Sequence, residues 1–221
     1  MSGVPVIAID GPSASGKGTV AARVAAGLGF HYLDSGGLYR LVALIALEEG
    51  LDLGDETALE RAALGMPVEF GEGTVRLGGR DVTVALRGEA VGAAASRIAA
   101  YPRVRAALLE RQRGFRRPPG LVADGRDMGS IVFPDAPLKV FLTAGVATRA
   151  ERRHKQLKEK GMYAKMEDVV EELRQRDERD SNRPIAPLKH YPDAIFLDTT
   201  RLSADEAVER ILGWWREKPP R

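Results

Sequence analysis

Cysteine is absent from all 221 residues, and asparagine occurs once, as Asn182. Without thiols the chain has neither disulfides nor thiolate metal sites. No apolar run approaches the roughly 18 residues that a membrane-spanning helix needs. The first ten residues also lack the charged-then-apolar layout of a secretory signal. A cytoplasmic location with no membrane partner is therefore expected. Charge of one sign is missing as well: 33 Lys and Arg stand against 31 Asp and Glu, a formal net charge of +2. So small an excess is no argument for a nucleic-acid partner. Scarce asparagine and abundant arginine suit a thermophile, although genome base composition explains the arginines equally well. His31, His154 and His190 have no metal-ligand spacing. What remains is 44% hydrophobic and 29% charged, ordinary for a globular enzyme with one core and an insertion or two.

The chain alternates strand-like and helix-like segments. Val4–Ile9 is a short apolar, β-branched run that stops at Asp10-Gly11-Pro12, as expected of a strand buried on both faces of a parallel sheet. Val20, Val24 and Leu28 then recur at helical spacing until Gly29. Leu121–Ala123, Leu138–Leu142 and Ala194–Leu197 look like three more buried strands, each ending near a polar residue. Ala207–Trp215 reads as a closing helix with Ser203 as its cap and Glu206 completing a capping box. This rhythm predicts an α/β fold, a doubly wound parallel sheet flanked by helices, with ligands beyond the carboxyl ends of the strands. Two stretches break it. Val68–Val84, with Gly78-Gly79 between short strand-like pieces, predicts a small antiparallel insertion. Arg149–Arg183, with 11 Lys/Arg and 9 Asp/Glu, predicts exposed helices that pack lightly and move.

Gly11-Pro12-Ser13-Ala14-Ser15-Gly16-Lys17 matches G-x-x-x-x-G-K, a phosphate-binding loop. Its glycines let successive N–H groups face inward as an anion nest, the following helix adds its positive N-terminus, and Lys17 places a full charge on the β- and γ-phosphates. The next residue is Gly18, and the hydroxyl comes one step later at Thr19. The usual direct Mg²⁺ ligand of P-loop NTPases is thus missing from its place. Mg²⁺ is expected on ATP oxygens and water, with an acidic residue behind the water and no direct protein ligand. The variant points away from signalling GTPases and motor ATPases and towards small-molecule kinases. No Asn-Lys-x-Asp segment exists for guanine, since Asn182 is followed by Arg183.

A phosphorylated acceptor demands further arginines. Arg40 follows Asp34-Ser35-Gly36-Gly37 on an expected second helix, with Ser35 as cap or ligand, and Arg126 lies just past a buried strand. Arg176, Asp180 and Arg183 would share one helix face. That face suits a ribose beside a phosphate, or equally a solvated helix whose charges pair with one another. The basic stretch 103–117 is open to two readings: a nucleic-acid face, or a solvated helix with one or two inward arginines. The scarcity of interleaved aromatics favours the helix.

Taken together, segments 11–19, 33–40 (Leu-Asp-Ser-Gly-Gly-Leu-Tyr-Arg), 123–129 (Ala-Asp-Gly-Arg-Asp-Met-Gly), 132–136 and 179–188 resemble bacterial cytidylate kinases, in order and over nearly the whole chain. The resemblance implies transfer of the ATP γ-phosphoryl group to CMP or dCMP in pyrimidine metabolism, with Mg²⁺. The expected partners are ATP and CMP or dCMP, with no nucleic acid, and a monomer is expected. The resemblance implies a core of about 1–34, 98–148 and 184–221, an acceptor region of about 35–97 with a β insertion of about 60–97, and a lid of about 149–183. ATP falls to Gly11–Thr19 (Gly11, Pro12, Ser13, Ala14, Ser15, Gly16, Lys17, Gly18, Thr19) with Arg152 and Arg153. Carried over by position, Ser96, Arg105 and Asp127 read cytosine with Ser35 nearby. Arg40, Arg126 and Arg183 hold the CMP phosphate, and Arg176 and Asp180 meet the ribose. Lys17, Arg126 and Arg183 are the expected catalytic residues. The remaining alternatives are a kinase for another small acceptor such as UMP, or an ATP-gated nucleic-acid-binding protein.

Overall fold

The hydrophobic run after the N-terminus forms a strand, β1 (Val6–Asp10), with every residue buried. A computed structural model describes residues 3–71, 73–159 and 161–217. In it β1 lies at the centre of a five-stranded sheet, between β6 (Leu121–Gly125) and β7 (Leu138–Thr143). It pairs parallel with both, Asp10 beside Gly125 on one side and beside Phe141 on the other. On the outside of β7, β8 (Ile195–Asp198) is parallel again. At the far edge, beside β6, stands β2 (His31–Asp34), which the apolar runs did not reveal. Only Leu33 of its four residues is buried, so it carries none of the continuous hydrophobicity that marks the inner strands.

The chain divides into two compact units, Met1–Leu33 with Gly114–Arg221, and Asp34–Arg113. In the first, helices α1 (Lys17–Leu28) and α8 (Ala204–Glu217) cover the sheet. Ile7, Ile9, Val24, Val140, Leu197 and Ile211 belong to their shared core. Gly29 ends α1 in the left-handed conformation, φ 64°. Ser203 and Glu206 form the expected capping box: Glu206 N–H donates to Ser203 Oγ (3.2 Å) and Ser203 N–H to Glu206 Oε2 (2.8 Å). Helices α6 (Val146–Glu159) and α7 (Met166–Ser181) occupy the charged stretch. They have a small core of their own in Ala150, Leu157, Val169 and Leu173, more packing than their composition suggested.

The second unit is largely helical. Helix α2 (Ser35–Glu48) begins on Asp34, whose carboxylate accepts from Gly37 N–H at 3.2 Å. Asp34, and not Ser35, is therefore the cap. Strands β3 (Val68–Phe70), β4 (Val75–Leu77) and β5 (Arg80–Asp81) form the antiparallel insertion, with Glu72 outside the described residues. Helices α3 (Glu56–Gly65), α4 (Glu89–Ile98) and α5 (Pro102–Arg113) complete it. Residues 98–113, expected with the core, instead pack in this unit: Arg103 bonds Thr57 Oγ1 and Glu60 of α3. Among the described residues no helix is long and apolar enough to cross a membrane.

Asp10 ends β1 at 6% exposure, and its oxygens accept from the N–H groups of Met128 (2.8 Å) and Gly129 (2.9 Å). Burial pushes its carboxyl up from 3.8 to about 6, outweighing the two backbone bonds and Arg126, while Asp127 adds to the rise. The folded protein thus binds this proton more tightly than the unfolded chain. The stability it contributes is complete below the unfolded value and is lost as pH rises to about 6. The gap corresponds to roughly 3 kcal/mol. Asp10→Asn is expected to remove that slope, gaining stability relative to wild type between pH 4 and pH 7. Urea unfolding across that range checks it, and parallel wild-type and variant curves would refute it.

Candidate active site

The glycine loop leaves β1 under tight steric control. A Cβ at Gly11 would lie 1.9 Å from the carbonyl oxygen of Leu142 on β7, so only glycine fits there. Ala14 (φ 57°) and Gly16 (φ 90°) are left-handed, the alternation that turns backbone N–H groups to one side as an anion nest. Gly16 caps α1 without any side-chain bond, so the first N–H groups of the helix are not taken by a capping side chain. Lys17 opens the helix with its Nζ 3.4 Å from Pro12 O. Ser15 Oγ is buried without a hydrogen-bond partner, an orphan in the middle of the loop.

Gly18 has a local explanation. A Cβ there would come within 3.1 Å of Asp124 Oδ2, which also accepts from the Tyr32 hydroxyl at 3.1 Å. A carboxylate on β6 therefore faces the point where other P-loops carry a hydroxyl. Mg²⁺ held by phosphate oxygens and water commonly uses one or two carboxylates, and Asp124 fits that pattern. Among the described residues no cluster of three or more His, Asp or Glu could hold a metal by itself. Each histidine ring instead meets a backbone carbonyl, of Pro118, Ala164 or Ala194.

Beyond β6, Arg126 donates Nε to Asp180 Oδ2 at 2.7 Å and NH1 to Gly125 O at 3.2 Å. Arg183 pairs with Asp180 Oδ1. Helix α7 ends at Ser181, so Arg183 lies past the helix on which it was expected and reaches Asp180 by this ion pair. Burial works against the charge on Asp180, yet Arg126 and Arg183 together hold its carboxyl below the ordinary range. Burial likewise works against the Arg126 charge, but Asp180, Asp124 and Asp10 raise its pKa further. The cluster is thus fully ionised at neutral pH. Asp127 is buried beside it at the head of the π-helical turn Met128–Val132, whose first two N–H groups bond Asp10.

Arg152, expected on ATP, donates to Ser15 O of the loop (2.8 Å) and to Thr199 O just past β8 (2.7 Å). Its neighbour Arg153 is half-buried on the same helix. The sequence reading missed Arg149, which is buried and forks onto Asp177 while donating to Ser13 O. A pair separated by 28 residues leaves no spacing signal. Asp10 and Tyr32 were missed for a similar reason, being ordinary residues at strand ends.

The second unit gathers the other candidates on three helices. Ser35 is buried in the first turn of α2. Arg40 donates to Leu86 O at 2.9 Å, and its guanidinium lies 3.1 Å from the place a Cβ would occupy at Gly92, so that glycine makes its room. Arg105 is buried, donates to Ala99 O at 3.2 Å and lies over the Tyr39 ring at 6.0 Å. Ser96 Oγ on α4 is buried without a hydrogen-bond partner. The other arginines of α5 are occupied: Arg103 by α3, Arg111 by Leu64 O, and Arg113 by Glu110. Arg105 is the inward arginine of the basic stretch.

The chain is similar to known proteins. A cytidylate kinase from Chromobacterium violaceum is 59% identical over 97% of each chain, and one from Burkholderia thailandensis is 58% identical over 96% of this chain and 93% of that one. Among solved structures, a gluconokinase from Sinorhizobium meliloti superposes with a TM-score of 0.51 at 16% identity, covering 98% of this chain and 94% of that one. A protein of Thermus thermophilus gives 0.50 at 21%, with 97% of each covered. Both likenesses are of fold alone. The family profile for cytidylate kinase matches residues 7–217, and with the close relatives this establishes that the chain belongs to the cytidylate kinase family.

Proposed function

We propose that this protein transfers the γ-phosphoryl group of ATP to CMP or dCMP. The observation that carries the reading is the pairing, within one unit, of an anion nest at Ser13–Lys17 with the fully charged Arg126–Asp180–Arg183 cluster. One binds a triphosphate; the other suits a phosphorylated nucleoside.

The acceptor oxygen of a nucleoside monophosphate is already anionic near neutral pH, so no general base is needed. Lys17 and the loop N–H groups stabilise charge on the transferred group, and Arg126 and Arg183 hold the acceptor phosphate in line. Mg²⁺ on the ATP phosphates supplies further neutralisation, with Asp124 as the carboxylate that would hold its water. Arg152 and Arg153 are assigned to ATP, and helices 149–183 to a lid that excludes water. By the family resemblance Ser35, Arg40, Ser96, Arg105, Asp127, Arg176 and Asp180 are assigned to CMP. A carboxylate such as Asp127 and a hydroxyl such as Ser96 are chemically suited to cytosine, which offers an N4 donor beside N3 and O2 acceptors. Uracil, with O4 and N3–H, leaves those groups mismatched.

A coupled ADP assay across CMP, dCMP, UMP and AMP tests the acceptor; release independent of any acceptor would reject the kinase reading. Lys17→Ala is expected to lower kcat by roughly 10²–10³-fold, in line with loss of a transition-state donor, with thermal unfolding nearly unchanged. Asp127→Ala is expected to reduce the CMP-over-UMP preference by roughly 10–100-fold while leaving the ATP KM near wild type. Equal losses for both acceptors would remove Asp127 from base reading.

A further inference from the structure

A backbone turned so that its N–H groups converge on an anion must point its carbonyls the other way, and carbonyls so placed need donors. Here arginines of α6 supply them. Ser13 O accepts from Arg149 at 3.2 Å and Ser15 O from Arg152 at 2.8 Å. Between these two carbonyls sits left-handed Ala14, which packs against the cluster Ala150, Leu157, Val169 and Leu173 that joins α6 to α7. The phosphate loop is therefore built onto this helix pair at three successive residues.

Arg149 reaches further. At 4% exposure it donates Nε to Ala144 O (2.9 Å) and forks onto Asp177 with NH1 at 3.1 Å and NH2 at 2.6 Å. A two-point guanidinium–carboxylate fork fixes orientation as well as distance. Asp177 lies on α7 between Arg176 and Asp180, and Asp180 is the carboxylate gripped by Arg126 and Arg183. One buried guanidinium thus connects the outer wall of the triphosphate loop to the helix bearing the acceptor-side cluster. Arg149 is engaged by Ala144 O, Ser13 O and the Asp177 carboxylate, so its influence runs through the shape of the loop and the placement of α7.

We infer that Arg149 is a positioning residue that shapes the phosphate loop through Ser13 and, through Asp177, couples triphosphate binding to binding at the α7 cluster. The coupling half rests on the reading of that cluster as part of the CMP site. By linkage, each ligand then tightens the other by the same factor.

Titration calorimetry with the magnesium complex of β,γ-imido-ATP, alone and with saturating CMP, tests this. The wild type is expected to bind the analogue roughly fivefold or more tighter with CMP present, the lower end of ordinary coupling. Arg149→Lys keeps the charge but loses the fork, and should weaken the analogue roughly tenfold in the absence of CMP. Asp177→Asn keeps the side-chain shape and leaves Arg149 in place; it should bring the CMP-dependent factor close to one while CMP still binds. A purely structural role would lower the unfolding temperature and both affinities together, leaving that factor intact. Asp177 is the less buried partner, so its variant decides the matter even where Arg149→Lys fails to fold. A wild-type factor in Asp177→Asn, or CMP binding without any factor in the wild type, overturns the inference alone. Failure of the wild type to bind CMP sinks the acceptor reading and the coupling with it.

Discussion

Everything in the first unit follows from turning a few backbone N–H groups to face one point. That geometry needs a strand that stops abruptly, left-handed residues, and donors for the carbonyls that turn away. β1 supplies the stop at Gly11, where the backbone abuts Leu142 and tolerates no side chain. Ala14 and Gly16 supply the left-handed steps, Ala14 at a cost on the order of 1 kcal/mol because it has a Cβ. Arg149 and Arg152 supply the outward donors. The shape of the loop thus depends on contacts well outside it.

The same requirement explains why charges accumulate at the carboxyl ends of β1 and β6. Asp10, Asp124, Arg126, Asp127 and Asp180 lie at or just beyond those ends, or pair with residues that do, and all but Arg126 are nearly removed from solvent. Isolated ions there would be costly. The structure answers with mutual pairing around Asp180 and with backbone bonds at Asp10, where burial still pushes the carboxyl up to about 6. The residue that bears this cost is also the one that holds the turn presenting Asp127.

The second unit solves a different problem with helices. Arg40 and Arg105 each donate to a backbone carbonyl, and Arg105 also lies over the Tyr39 ring, contacts that fix where the guanidiniums sit. The three-stranded insertion lies in this unit with mostly exposed side chains, consistent with an elaboration of the unit and not part of its core.

The sequence by itself determined the inner strands, the phosphate loop, the capped closing helix and the family, because each leaves a local trace: an apolar run, fixed glycine spacing, a capping box, a distinctive segment. It also marked Arg126 and Arg183, which the structure brings together on Asp180. It could not show β2, whose single buried residue makes no pattern, nor that Asp34 rather than Ser35 caps α2, since either side chain can cap a helix. Only the tertiary structure decided that Gly18 makes room for Asp124, that Arg183 meets Asp180 from beyond the helix end, and that Arg149 ties the loop to Asp177. Those are contacts between residues far apart in the chain, set by the register of parallel strands and the packing of α6 on α7, and no periodicity records them.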